Sequence, residues 1–375
     1  MYKTYVVETV TGLNLGPLDC RIGSWTRELN GTDAASVTVH PGALTVMNRD
    51  WIRLITQPPR MSLVIEWVDS FSSAIIFAGP IWARPWDGKN VQFNASGIRT
   101  LFNRRKALMW TLPYQNQVLS YSNMSLGSIA VSLVRDVAMA GSKAGASLPI
   151  VFPSTLVDSD PTHVRTYNGY ALSNINQMLT ELTNVANGPD IDFLPSWTDA
   201  SKQYLQYTMR VGTNAQPKIM QAAPIAFDAS AVQSSVKTLT MIEDAALMAT
   251  TDWALGNGNG TGILTSMAQN TALTSAGWPL LEQETDYKTV ADQPTLDAHT
   301  AGDLAAFSAP TVQFGMTVDS TKPPTLGPYT VGDNVLVRVA NHVWIPDSPV
   351  AGYPMRLVKM SGDSSTTVSL DVQNA

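Results

Sequence analysis

The stretch Ser173-Asn-Ile-Asn-Gln-Met-Leu-Thr-Glu-Leu-Thr-Asn-Val185 runs through Gly188-Pro189 into Asp190-Ile191-Asp192-Phe193-Leu194. Its first part sets Ile175, Met178, Leu179, Leu182 and Val185 at i, i+3, i+4 spacing, the apolar stripe of an amphipathic helix. Gly188-Pro189 stops that helix, because glycine takes the left-handed exit and proline has no N–H to donate. Ile191 to Leu194 then reads as a strand. A helix that hands over to a strand at one punctuation point predicts segregated blocks, an α+β chain, and not a wound βαβ sheet.

Working outward, a second stripe lies upstream. Ser125 is placed to cap a helix carrying Leu126, Ile129, Ala130, Leu133, Val134, Val137 and Ala138, ended by Gly141. Gly145 to Pro161 reads as an extended loop. Before residue 105 the chain reads as short strands: 5–10, 35–39, 51–55, 61–68, 74–77 and 89–93. Asn30-Gly31, Pro41-Gly42, Pro58-Pro59, Gly79-Pro80 and Asp87-Gly88 punctuate them. After 190, strands are expected at 191–194, 203–211, 236–242 and 246–250, and a helical segment at 278–308. Closing strands follow at 311–318, 334–340, 342–345, 354–360 and 366–372. The fold class is therefore α+β, mainly β. The expected parts are a β-barrel-like domain over 1–104, a helical or mixed part over 105–190, and a second barrel-like domain over 191–375 with the 278–308 insertion. Asn48 to Ile55 and Val331 to Val339 share an Asp ahead of an apolar run that carries an Arg. This is either chance or the trace of two related barrels.

Composition narrows the function. The 375 residues include 24 basic and 30 acidic ones, so charged residues make 14 %, while the hydrophobic fraction is 44 %. Ordinary domains carry about 25 % charge. This composition excludes a mostly disordered chain and a coiled coil. A net charge of −6 argues against a dedicated nucleic-acid surface. The single Cys20 excludes an internal disulfide and a thiolate metal cage. Neither a signal-like amino-terminal core nor a run of about 18 apolar residues is visible, so synthesis in a cytoplasm is expected.

Catalytic patterns are missing. His40, His163, His299 and His342 are scattered and form no metal-binding spacing. No Gly-x-Ser-x-Gly elbow occurs. Asp190 with Asp192, and Glu282 with Glu284 and Asp286, are carboxylate pairs of the kind a glycosidase needs, but sequence says nothing of their separation. Gly256 to Gly260 lacks the Lys-Ser/Thr of a phosphate loop. No cofactor and no metal is implied. Ten tryptophans stand out. Trp25, Trp82 and Trp86 alternate with Arg27 and Arg84, and Arg104-Arg105-Lys106 is the densest basic cluster. Aromatic residues and arginine are enriched at protein interfaces. The candidate interface residues are therefore Trp25, Arg27, Trp82, Arg84, Trp86, Arg104 and Arg105, with neighbouring subunits' carboxylates as one partner for the basic cluster.

Three stretches carry a resemblance. The first is Gly23 to Asn30, with Ser36 to Val39 and Phe77-Ala-Gly-Pro-Ile-Trp82. The second is Gly188 to Phe193 with Trp197. The third is Pro279-Leu-Leu-Glu282, a Leu/Ala-rich helix, Pro310, Val331-Gly-Asp-Asn-Val335 and Arg356-Leu-Val358. Together they resemble the minor tail proteins of long-tailed actinobacterial phages, the tail-tip or baseplate hub group. That resemblance implies two barrel-like domains plus an α/β part, a homotrimer, and a place between tail tube and tip around the DNA path. It implies distal tail, tape measure and tip proteins as partners, DNA only in transit, and no membrane insertion. The chain closes soon after its last strand, which implies a bare hub without a peptidase or sugar-binding extension, and no enzyme. Two other classes stay open: a carbohydrate-binding host-recognition module acting through its tryptophans, and a cell-wall hydrolase using Asp190 or Glu282.

Overall fold

A computed structural model describes the chain except residues 41, 43–47, 70–72, 155–162, 186–187, 214, 222, 288–289, 291–292 and 375. The chain folds as two units. One takes residues 1–239 and 315–373, and the other takes 240–314 with Asn374.

The first unit begins with β1 (Tyr2–Glu8), β2 (Asn14–Pro17), β3 (Arg21–Glu28), β4 (Ala34–Val39), helix α1 (Arg49–Ile55), β5 (Met61–Val68), β6 (Ser73–Ala83) and β7 (Val91–Ser96). It continues through β8 (Val118–Met124), α2 (Leu126–Ser132), β9 (Ile150–Val151), β10 (His163–Asn168), α3 (Ile175–Thr183), β11 (Ile191–Trp197), β12 (Leu205–Val211) and β13 (Ile225–Asp228). β14 (Val236–Asp244) leads into the second unit. That unit holds β15 (Thr251–Leu255), β16 (Thr265–Gln269), α4 (Thr271–Ser275), β17 (Glu282–Asp286) and α5 (Gln293–Phe307). β18 (Thr311–Asp319) leads back, and β19 (Asn334–Arg338), β20 (Tyr353–Gly362) and β21 (Thr367–Asn374) close the chain.

The mainly-β α+β class expected from the sequence is the observed one. The largest sheet follows the path β14-β18-β21-β20-β3-β4-β7-β6-β5-β1-β2, with β19 and then β13 branching from β20. The path joins strands from both ends of the chain and does not close on itself among the described residues. The tightest point on it is Gly79 in β6. A Cβ there would lie 2.0 Å from the Ser96 carbonyl oxygen, which explains the glycine in Phe77-Ala-Gly-Pro-Ile-Trp82.

The two helices expected between 105 and 190 are present. The Ser125 hydroxyl caps α2 by accepting the Ser128 N–H at 2.9 Å. A π-helical turn over Leu133–Ala138 extends it, and the whole stripe from Leu126 to Ala138 is buried. α3 is capped by Asn174, and Ile175, Met178, Leu179 and Leu182 are buried while Val185 lies beyond its end. Both helices share one apolar core with Val7, Val64 and Ala78 of the large sheet and with Ile191, Phe193, Tyr207 and Met209 of the β11–β12 pair.

Other expectations fail locally. Residues 51–55 are helical, because the Asn48 side chain accepts the Asp50 N–H and Ile52 and Ile55 turn inward at i, i+3. The echo with 331–339 therefore pairs a helix with a strand. The expected helix over 278–308 opens as β17, parallel to β15, and helix begins at Gln293. Residues 246–250 precede a strand and are not one. Residues 342–345 form a turn in which His342 Nδ1 accepts the N–H groups of Trp344 and Ile345. The expected Gly145–Pro161 loop lies partly outside the described residues.

Candidate functional site

The Gly23–Asn30, Gly188–Phe193 and Val331–Arg356 stretches lie far apart in sequence and meet inside the first unit. On β3, Ile22, Trp25 and Arg27 are buried, and Trp25 and Arg27 share a face by strand alternation. Arg27 Nη2 donates to Asp192 Oδ1 at 2.8 Å, and Nη1 donates to Thr330 Oγ1 at 3.1 Å. Arg27 Nε lies 3.5 Å from Asp33. The second Asp192 oxygen accepts from Arg210 Nε and Nη2 at 3.1 and 2.8 Å. Arg210 also donates to the Val331 carbonyl at 2.7 Å and lies 3.8 Å from Asp333.

Two residues before Asp192, Asp190 takes both ends of the Arg356 guanidinium. It also accepts the Asn30 amide at 3.0 Å and the Ile219 N–H at 2.7 Å. β20 carries Arg356 beside β3, where Met360 pairs with Arg27. Arg99 adds a fourth guanidinium. It donates to the Asn30 carbonyl, Asn176 and Thr180, which ties in α3.

Four arginines thus face Asp33, Asp190, Asp192 and Asp333. Burial alone would raise the Asp192 carboxyl, but Arg27 and Arg210 hold it below the usual carboxylate range. Burial alone would lower Arg27, but Asp192 and Asp33 hold it up. Burial pushes Asp33 up to about 6 against the pull of Arg27, and lowers Arg99 to about 10. Guanidinium groups only donate hydrogen bonds, so the four arginines serve here as fixed donors to the carboxylates and carbonyls around them. It acts as a lock that fixes the β11–β12 pair against β3 and β20. Buried pairs of this kind define geometry more than they add stability.

A cleft of about 590 Å³ adjoins the junction, lined by Arg27, Glu66, Trp197, Lys202 and Arg210 among others. Its charges are paired too. Glu66 accepts from Lys202 at 2.7 and 2.8 Å and from the Trp197 indole at 3.1 Å.

The sequence-derived interface residues fall into two groups. Trp25 is wholly buried against Gly362, and Arg27 belongs to the junction, so neither offers surface. Arg105 is half-buried and donates to the carbonyls of Ala138 and Ala146. Trp82 is half-buried with its indole N–H on Thr100. Arg84 is half-buried and donates to the Arg53 carbonyl, while Trp86 and Arg104 are exposed. Glu282, the other carboxylate considered for catalysis, accepts the Trp253 indole N–H at 2.9 Å. Burial pushes the Cys20 thiol up to about 11, which fits a structural cysteine. Among the described residues no three His, Cys, Asp or Glu side chains group to hold a metal ion.

Sequence reasoning did not pick out Arg99, Arg210 or Asp33. Their signal is weak: Arg210 meets Asp192 18 residues upstream, Arg99 meets partners 69 to 81 residues away, and Asp33 alone has its partner, Arg27, across a short turn.

No protein-family model and no curated protein matches the sequence. Solved structures do match in fold. The 43 kDa tail protein of prophage MuSo2 from Shewanella oneidensis is similar with a TM-score of 0.57 and 10% identity, over 99% of this chain and 98% of that one. A tail protein from Neisseria meningitidis MC58 is similar at 0.58 and 12%, over 100% and 96%. A prophage tail protein from Listeria monocytogenes EGD-e is similar at 0.50 and 10%, over 100% and 94%. The chain has the fold of phage tail proteins.

Proposed function

We propose that the chain is a structural virion protein, the tail-tip or baseplate hub of a long-tailed actinobacterial phage of the minor tail group. In this reading three copies join the tail tube to the tip complex and line the DNA exit path. Residues 1–104 and 191–375 are the two barrel-like parts of this reading, and 105–190 is its helical or mixed part. Distal tail, tape measure and tip proteins are the partners, and DNA passes only in transit. The protein is not an enzyme: Asp190 serves as an ion-pair residue.

The observation that carries this is the shared fold with three tail proteins over 94 to 98% of their lengths. The junction supports it, since a hub needs fixed geometry between its sheets more than it needs a reactive group. Immunogold labelling of intact tails tests the location. Label confined to the tip is expected; label along the tube, or none, overturns the reading.

A further inference from the structure

Two exposed surfaces of the chain are complementary. The first is the open face of the β16-β15-β17 sheet. Register puts Trp253 opposite Met267 on one side and Glu284 on the other, with Glu282 opposite Thr251. The far face, with Asp252, Ala254 and Ser266, is buried. The near face is open around its middle, where Trp253 is 42% exposed and Met267 52%, while Thr251 at one end is buried. Residues 240–314 hold nine of the 30 acidic residues and one of the 24 basic ones, leaving 21 acidic and 23 basic in the rest. The whole negative excess of the chain therefore sits in this unit.

The second surface belongs to the first unit. The Lys106–Asn174 bridge, Ala107 N–H on the Ser173 carbonyl and Gly169 N–H on the Gln117 carbonyl join 104–117 to 169–174. Trp110, Leu112 and Tyr170 stand 58, 79 and 70% exposed there, beside exposed Arg104 and Lys106. Neither 104–117 nor 169–174 contains an acidic residue. Leu172 holds a left-handed backbone at φ 47°, a costly conformation for leucine, and its side chain is exposed.

Contiguous exposed aromatics mark interaction surfaces, and opposite charge selects which surfaces meet. We infer that the Trp253 face of one copy docks on the Trp110/Tyr170 surface of a second copy of this chain. The complement of each surface is present in the same sequence, so no other protein is needed. Such a head-to-tail contact closes into a ring when its rotation permits. The inference deepens the trimeric reading above and rests on it.

Sedimentation of the full-length chain tests it in four forms: unaltered, Glu282→Lys with Glu284→Lys, Arg104→Glu with Lys106→Glu, and all four changes together. The unaltered chain is expected to associate. Each pair of reversals weakens association at least about tenfold, and the fourfold variant recovers most of it because opposite charges meet again. That recovery, with unchanged thermal midpoints, separates lost docking from lost folding. A monomeric unaltered chain overturns the inference. So does association that survives both paired reversals, or a fourfold variant as weak as the pairs. A trimer unchanged in all four forms removes this contact and leaves the tail-tip reading to the labelling experiment.

Discussion

Asp192 joins two guanidinium groups from different strands, so its loss leaves the buried Arg27 and the partly buried Arg210 without their main partner. Asp192→Asn is expected to cost about 3 to 5 kcal/mol in urea unfolding. Replacing Asp190 and Arg356 together by Leu and Met is expected to cost far less than either change alone, because no lone charge then remains buried. The pH dependence separates two carboxylates. Asp33 sits at about 6, above its ordinary 3.8, so the folded chain keeps a proton that the unfolded chain has lost. Through this group stability falls as pH rises between about 4 and 6. Asp192 is depressed, so its contribution is present above the ordinary carboxylate range and is lost as pH falls through its lowered value. Asp33→Asn is expected to flatten the thermal midpoint between about pH 4 and 6 while keeping the acid limb. Asp252, also raised to about 6 by burial and by Asp303, retains its own share of that slope. Asp190 and Asp192 were legible as a strand entrance. Their role was not, because Arg356 and Arg27 lie 166 and 165 residues away.

At the scale of elements, periodicity identified α2 and α3 because their stripes face one core and their caps are local. α1 reads as a strand because Trp51, Ile52, Leu54 and Ile55 flank the single Arg53 without a clear helical stripe, until the Asn48 cap is seen. β17 was misread because its Glu282-Gln-Glu-Thr-Asp286 pattern alternates only in polar residues. Ser125→Ala is expected to lower stability by about 1 kcal/mol through the lost cap. Gly79→Ala, which pushes a Cβ into the Ser96 carbonyl, is expected to cost roughly 2 to 3 kcal/mol. Chemical denaturation measures both.

The whole molecule is read most directly from its charge. On a chain with a 14% charged fraction six of the ten tryptophans are exposed, and the division into units shows where the negative excess lies. That division was not legible in the sequence, because strands that flank the second unit pair with strands from the first. The Thr238 and Thr317 hydroxyls lie 2.6 Å apart where the chain leaves and re-enters the first unit. Replacing 242–312 by a short Gly/Ser turn is therefore expected to leave a cooperatively folding first unit, checked by thermal unfolding, that no longer self-associates. The proposed role of the chain is a place in an assembly. A cryo-electron microscopy map of intact tails, with this chain traced into density, tests it most directly. Three copies in a ring at the tail tip are predicted; a tip without this chain, or with a number of copies other than three, contradicts the account.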